Sequence, residues 1–538
     1  EAADAAQEAA ESAAMAAEDD APAAAPGGLR QGGTLRSGWF TDVGGTQGFD
    51  AHRGGGGDTD GYTAHIHDRV LGFDGQGNVT PQLAMGVEQP DDLTYIFPMR
   101  PGAIFQDGAP VDANAVNLNM ERMRDADGIP GHVNGGISNA ESFEVTDAST
   151  WKMVNSIPYG PTVIWFQQIP GTGFLISPEH FDTAKTHPVG AGPLKHAEYE
   201  PGAIWVGERW DGYWDNQNVG PDRFEQNILS DRNTALNAFL NGDLDYLWPS
   251  GGIGPSWQAE LEADGRKVYT GVHALWTYSW FNMNPTAPAE HQIFRDARMR
   301  HAVNKAMDRQ VINEAAFEGT GAPMRAHVSN ASWALPPDKN YYGEPDPQAA
   351  RQLMDAAGYG DGFSGVHLGF FTETSTIVAD PAVAQLREVG MDFEQAEFDE
   401  PTTFAKLFDP QDWSFAMLPW ASPFDPDPVL NPVFQNYTSV MYGSPDGPAP
   451  RDPSDPVLTG LYEHVDLLAA AAASVKREER IPLYEKVFEH EEENIWCNYV
   501  VQWPSGWTTQ GNVEGFDLHE FNGWPNGYGF KYLWFNDV

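Results

Sequence analysis

An α/β protein built of more than one lobe is what this sequence predicts. Its 538 residues exceed what one hydrophobic core usually organises. Short strand-like runs alternate with capped, amphipathic helical segments along the chain, and no period of about 20 to 50 residues recurs, which sets solenoids and propellers aside.

Each element has a local cause. Residues 1–28 are alanine and acid with one methionine and two prolines, too poor in large apolar groups to pack, and are expected to be a disordered tether. "GGTLRSGWF" at 32–40 and "TYIFPMR" at 94–100 read as strands. In "DANAVNLNMERMRD", Asp112 is placed to cap a helix that buries Val116, Met120 and Met123. "FRDARMRHAVNKAMDRQVI" at 294–312 reads as one helix with Phe294, Ala302, Val303, Ala306 and Met307 inward. "DPQAARQLMDAAGYG" has Asp346 as cap, Pro347 in the first turn, Leu353, Met354 and Ala357 on one face, and Gly358 as stop.

Charge and cysteine usage exclude several functions. Asp and Glu number 77 against 31 Lys and Arg, a formal charge of -46, which repels nucleic acid and anionic lipid. The acids are spread through foldable sequence and imply a heavily hydrated surface, suited to a saline habitat or to an ordinary exported protein. Cys497 stands alone, so no internal disulfide and no cysteine-rich metal site exists. No run of about 18 apolar residues occurs.

Catalytic signatures are missing: no G-x-S-x-G, H-E-x-x-H, C-x-x-C or phosphate-binding G-x-x-x-x-G-K-[ST]. "RGGGGD" at 53–58 lacks a preceding strand and a following helix, and reads as a loop. His65 and His67 of "HIHD" fall in a helical pattern that separates their rings, and "EHEEE" at 489–493 reads as a solvated helix face. Metal, cofactor and catalytic residues are therefore all expected to be none. In "PWASPFDPDP" at 419–428, Asp425 and Asp427 each precede a proline and are turn aspartates before they are an acid/base pair. A secreted acidic glycoside hydrolase using paired carboxylates remains the alternative class.

Seven segments in order carry a resemblance: "GGTLRSG" at 32–38, the stretch 70–116, "PVGAGPLKHAEYEPG" at 188–202, "ERWDGYWD" at 208–215, "SDRNTALNAFLNGDLDYLW" at 230–248, the stretch 281–309, and "AGYGDGF" at 357–363. Through them the chain resembles the extracytoplasmic solute-binding proteins of ABC importers, in the dipeptide, oligopeptide and nickel branch (family 5, cluster C). The resemblance implies a two-lobed periplasmic-binding-protein fold of type II with an extra subdomain in lobe I. Lobe I would hold 29–274 plus 493–538, with the subdomain at about 72–187; lobe II would hold 275–492. It implies a monomer, periplasmic or extracellular and tethered through the N-terminus, that closes on a small solute and delivers it to an ABC permease, without enzymatic activity.

By the same resemblance, Trp39, Phe40 and Asp42 would reach the cleft from the first strand, Tyr278, Trp280 and Asn282 from a crossing at 276–284, and Trp420, Ser422, Phe424 and Asp425 from lobe II. In peptide-binding members an aspartate after this tryptophan pairs with the peptide amine. Here Pro423 falls at or next to its place, and a one-residue slip would bring Asp425 there instead. An amine left unpaired in a closed cleft costs several kcal/mol, so the expected solute is an atypical peptide or amino-acid derivative, or an oligosaccharide.

Overall fold

Leu35 and Ser37 turn inward from Thr34–Trp39, which forms the first strand, β1. Helix α1 (Gly57–Ile66) follows and buries Tyr62, Ala64 and Ile66. It begins at the end of the glycine run, so the expectation that no helix follows "RGGGGD" is corrected. The computed structural model describes residues 29–536 apart from 44–47, 55–56, 74–77, 128, 130–132, 167–171, 250–251, 371–372, 399, 408, 410–411, 422–424, 429, 431–449 and 517–527. The expected tether lies outside the described residues.

Inside the span expected for the subdomain, β2 (Thr94–Pro98), β3 (Ala140–Asp147) and β4 (Thr150–Asn155) form an antiparallel sheet in the order β2-β4-β3. Helix α2 (Ala113–Asp125) closes its core, where Met120 and Met123 join Phe97, Trp151 and Phe166. Asp112 caps α2 by accepting the Ala115 N–H at 2.9 Å, as the sequence predicts.

The main sheet, 11 strands among the described residues, is continuous across the molecule. Its members are β1, β5 (Leu194–Glu200), β6 (Ile204–Arg209), β7 (Arg223–Ile228), β8 (Tyr246–Leu247), β9 (Lys267–Phe281), β10 (Phe363–Phe370), β11 (Met391–Phe398), β12 (Phe415–Ala421) and β13 (Cys497–Thr509). The order is β11-β10-β12-β9-β13-β8-β1-β7-β6-β5, with the short strand Ala322–Pro323 against β13.

Only the antiparallel pair β9 and β13 carries this sheet from one half to the other. At one end β8 holds β13 at Thr508 and Thr509; at the other β12 holds β9 from Leu275 to Phe281. Between them the β9/β13 register shifts between Val272 and Trp276, and Pro504, opposite Val272, has no N–H to donate. The ladder is therefore interrupted between the two halves. The crossing expected at 276–284 lies instead at about Val272–Trp276 of β9, because 275–281 already pair with β12. Residues 497–502, expected with lobe I, pair in the lobe II half.

The helix expected over 294–312 is two. Helix α3 (Ala297–Ala306) stops at Met307, whose backbone is extended, and α4 (Arg309–Phe317) starts afresh because Asp308 accepts the N–H groups of Gln310 and Val311. The buried set is nevertheless as expected: Phe294, Ala302, Val303, Ala306 and Met307 all lie in the lobe II core. Helix α5 (Pro347–Ala356) is capped by Asp346 and ended by Gly358 at φ 92°. Two further helices, α6 (Pro456–Ala472) and α7 (Arg477–Asn494), cover lobe II, and α7 turns Glu491 into the core, so "EHEEE" is not wholly a solvated face.

Burial drives several histidines far below their usual range: His65 and His327 to about 3, His67 and His367 to about 4. These groups are neutral when folded and take protons on unfolding below about pH 6.5, so their contribution is complete above that pH and is lost as pH falls toward 4. Urea titrations between pH 7 and pH 4 should show the midpoint falling; a flat profile would mean that the rings are solvated.

Candidate functional site

Strand direction locates the site. In lobe I, β1 runs parallel to β7 and β8; in lobe II, β10 runs parallel to β11 and β12. Ala421, at the end of β12, pairs with Leu275 beside the register shift in β9. The carboxyl ends of both parallel sets thus point at the crossing, the place where α/β sheets hold ligands.

The lobe I wall is aromatic. Trp39 stands 4.9 Å from Phe40 and 5.7 Å from Trp248, and Trp248 stands 5.2 Å from Phe40 and 6.1 Å from Trp507, ring centre to ring centre. Trp39 is fixed over Gly61, where an added Cβ would meet the indole at 2.6 Å, and it is almost fully buried. Phe40 keeps part of its surface exposed. Trp248 was not foreseen as a wall residue; the available signal was its place one residue beyond a strand parallel to β1.

Asp42 is spent within its own lobe. It accepts from Tyr199 Oη and the Gly202 N–H, each at 2.7 Å, and from the Val43 N–H at 2.6 Å, tying two loops together. Tyr278, Trp280 and Asn282 also depart from expectation. Tyr278 stacks on Tyr499 at 5.3 Å, Trp280 is buried beside it, and Asn282 donates to the Trp413 carbonyl at 2.7 Å while accepting from the Asn284 N–H at 3.1 Å. The reason is topological: β9 is an interior strand, covered on both faces beyond the crossing. The backbone of Trp420 pairs with Trp276. Its side chain lies outside the described residues, as do Ser422 and Phe424.

Asp425 meets a cation of the protein itself. Arg480 of α7 grips it with two hydrogen bonds, Nη1 to Oδ2 at 2.7 Å and Nη2 to Oδ1 at 2.9 Å, and both side chains are buried. Burial alone would lower the Arg480 pKa, but the Asp425 charge outweighs it and holds the group above its usual range. The slip that would offer Asp425 to a ligand amine is thereby corrected: its charge is already neutralised. Asp425 Oδ1 also accepts the Asp427 N–H at 3.0 Å, which sets the turn.

That turn reaches the subdomain. Tyr159, just beyond β4, donates its hydroxyl to Asp427 and accepts from Trp165 Nε1 at 3.1 Å. Its neighbour Gly160 donates to the Ala472 carbonyl at 2.7 Å, so close that a Cβ there would collide with the Ser474 backbone. Lobe I and lobe II are therefore joined at a second point, remote in sequence from the crossing.

Two α/β lobes on an interrupted two-strand crossing, with strand ends and an aromatic wall facing it, define the class of solute-binding proteins. Residues 78–440 match the model of the bacterial extracellular solute-binding proteins, family 5 Middle, and the chain belongs to that family. The glutathione-binding protein GsiB of Salmonella paratyphi A is 29% identical over 309 residues, 56% of this chain and 57% of that protein, so the chain spans little more than half the length of the curated relatives it matches. The fold is shared with the periplasmic binding protein DppA of Helicobacter pylori in complex with the peptide STSA, at TM-score 0.78 and 19% identity, covering 94% of this chain and 98% of that one. It is shared also with AgaA of A. tumefacien R10 in complex with agropinic acid, at TM-score 0.76 and 20% identity, covering 94% and 99%.

Arg480→Ala leaves Asp425 buried and unpaired and should cost about 3–5 kcal/mol of lobe II stability; guanidinium unfolding measures it, and a loss below about 1 kcal/mol would mean that water reaches the carboxylate. Tyr159→Phe keeps the ring and removes the donor to Asp427, a change of about 1 kcal/mol. It should shift the unliganded protein toward a more open form with a larger radius of gyration in X-ray scattering, whereas an unchanged curve would mean that the lobes are held elsewhere.

Proposed function

We propose that this protein is an extracytoplasmic receptor that encloses an atypical peptide or amino-acid derivative between its lobes and delivers it to an ABC permease. The observation that carries the ligand class is the Asp425–Arg480 pair: Asp425, the aspartate nearest the expected place after Trp420, already has its charge matched within the protein. The aromatic wall of Trp39, Phe40 and Trp248 suits the flat or apolar part of such a solute. Among the named relatives, one binds glutathione, one agropinic acid and one the peptide STSA, and none is named for an oligosaccharide, which favours the peptide and amino-acid class over a sugar. Nothing in the fold or the relatives supports the glycoside hydrolase alternative.

The rest of the reading follows from the family and the sequence. The lobes divide near 29–274 with 493–538 and 275–492, adjusted at β13 as described, and the protein works as a monomer. Residues 1–28 suit either a membrane tether or the remainder of a cleaved leader, and the acidic composition suits saline surroundings. No helix among the described residues is long and apolar enough to cross a membrane.

A thermal-unfolding screen against ordinary di- to pentapeptides, glutathione, opine-type amino-acid conjugates and cello-oligosaccharides tests the reading. A ligand at about 100 times its Kd adds roughly 2.7 kcal/mol. Stabilisation by the modified amino acids is expected; stabilisation only by free-amine peptides would sink the argument from Asp425. Trp420→Ala should weaken the bound solute by about 2 kcal/mol in calorimetry without altering the fold, and unchanged affinity would place Trp420 away from the ligand.

A further inference from the structure

In the core of lobe II, His327, His464 and Glu491 converge. One nitrogen of each histidine and one carboxylate oxygen lie within 4.8 Å of one another, and all three residues are buried. The sequence hides the group because its members come from separate segments of the chain.

The hydrogen bonds around the cluster prepare its ligand atoms. Trp496 Nε1, which can only donate, points at His490 Nδ1 at 3.4 Å, so that nitrogen is an acceptor. His464 Nδ1 lies 3.1 Å from the same atom and must therefore carry the proton between them, which leaves the lone pair of His464 on Nε2. Fixing the outer nitrogen of a histidine in this way is how neighbouring groups orient metal ligands. Glu491 Oε1 accepts the Cys497 N–H at 2.9 Å, while Oε2, fully buried, has no hydrogen-bond partner among the described residues.

We propose that His327, His464 and Glu491 form a binding site for a divalent transition-metal ion of the zinc type, held inside lobe II as a structural element separate from the solute cleft. Two neutral imidazoles and one carboxylate are a common zinc donor set. With bonds of about 2.0–2.2 Å, the three atoms need to draw together by roughly an ångström. Binding forms bonds from one nitrogen of each imidazole and from the Glu491 carboxylate to the ion, with no change of oxidation state.

The test uses the full chain, stripped with chelator and titrated with zinc chloride, with bound metal measured by elemental analysis and stability by thermal unfolding. One ion per chain and a raised Tm are expected. Glu491→Gln, which can still accept from Cys497 N–H, should weaken uptake at least tenfold, and His490→Gln, which disturbs only the positioning of His464, should weaken it by about 10- to 100-fold. Absence of uptake would overturn the proposal. So would uptake unchanged in Glu491→Gln, which would place the ion elsewhere. If a histidine variant fails to fold, the glutamine variant still decides. A failed solute screen with intact zinc uptake, or the reverse, separates this site from the proposed transport role.

Discussion

The pairing of β9 with β13 is the constraint on which the rest depends. Both strands are long enough to belong to two lobes at once, and each lobe adds its own parallel strands to one end of the pair. Because those parallel sets run toward the crossing from opposite sides, their carboxyl ends face each other without any further device. Between the lobes the same pair is interrupted by a register shift and by Pro504, and a second shift follows at Thr277/Tyr278.

Charge placement separates structure from recognition. Asp42 and Asp425 both looked like groups for a ligand, and both are occupied by the protein: one ties loops through Tyr199 and Gly202, the other is gripped by Arg480. In a buried setting an aspartate without such partners would be costly, so the fold supplies them from residues far away in the chain. What remains facing the crossing in lobe I is mainly aromatic, which points to shape and stacking as a large part of recognition.

Local signals were legible and distant ones were not. The caps Asp112 and Asp346, the stop at Gly358 and the first strand at 34–39 follow from short-range chemistry and stand where expected. The break at Asp308 was readable too, since an aspartate two residues before Gln310 is a cap signal, but unbroken apolar spacing masked it. The failure at Tyr278, Trp280 and Asn282 has another cause: alternation tells which side chains share a face, yet not that β9 is an interior strand with both faces covered. Arg480 beneath Asp425, Trp248 beside Phe40, and the convergence on Glu491 each join segments remote in sequence, so no local pattern announces them.

The contact between Tyr159 and Asp427 has a geometric meaning beyond its energy. It ties the segment just beyond β4 to the turn after β12, 268 residues apart in the chain, so any displacement of one against the other falls directly on the Tyr159 hydroxyl. A hydrogen bond survives only a few tenths of an ångström of such movement. The bond therefore fixes closely how the two segments are spaced.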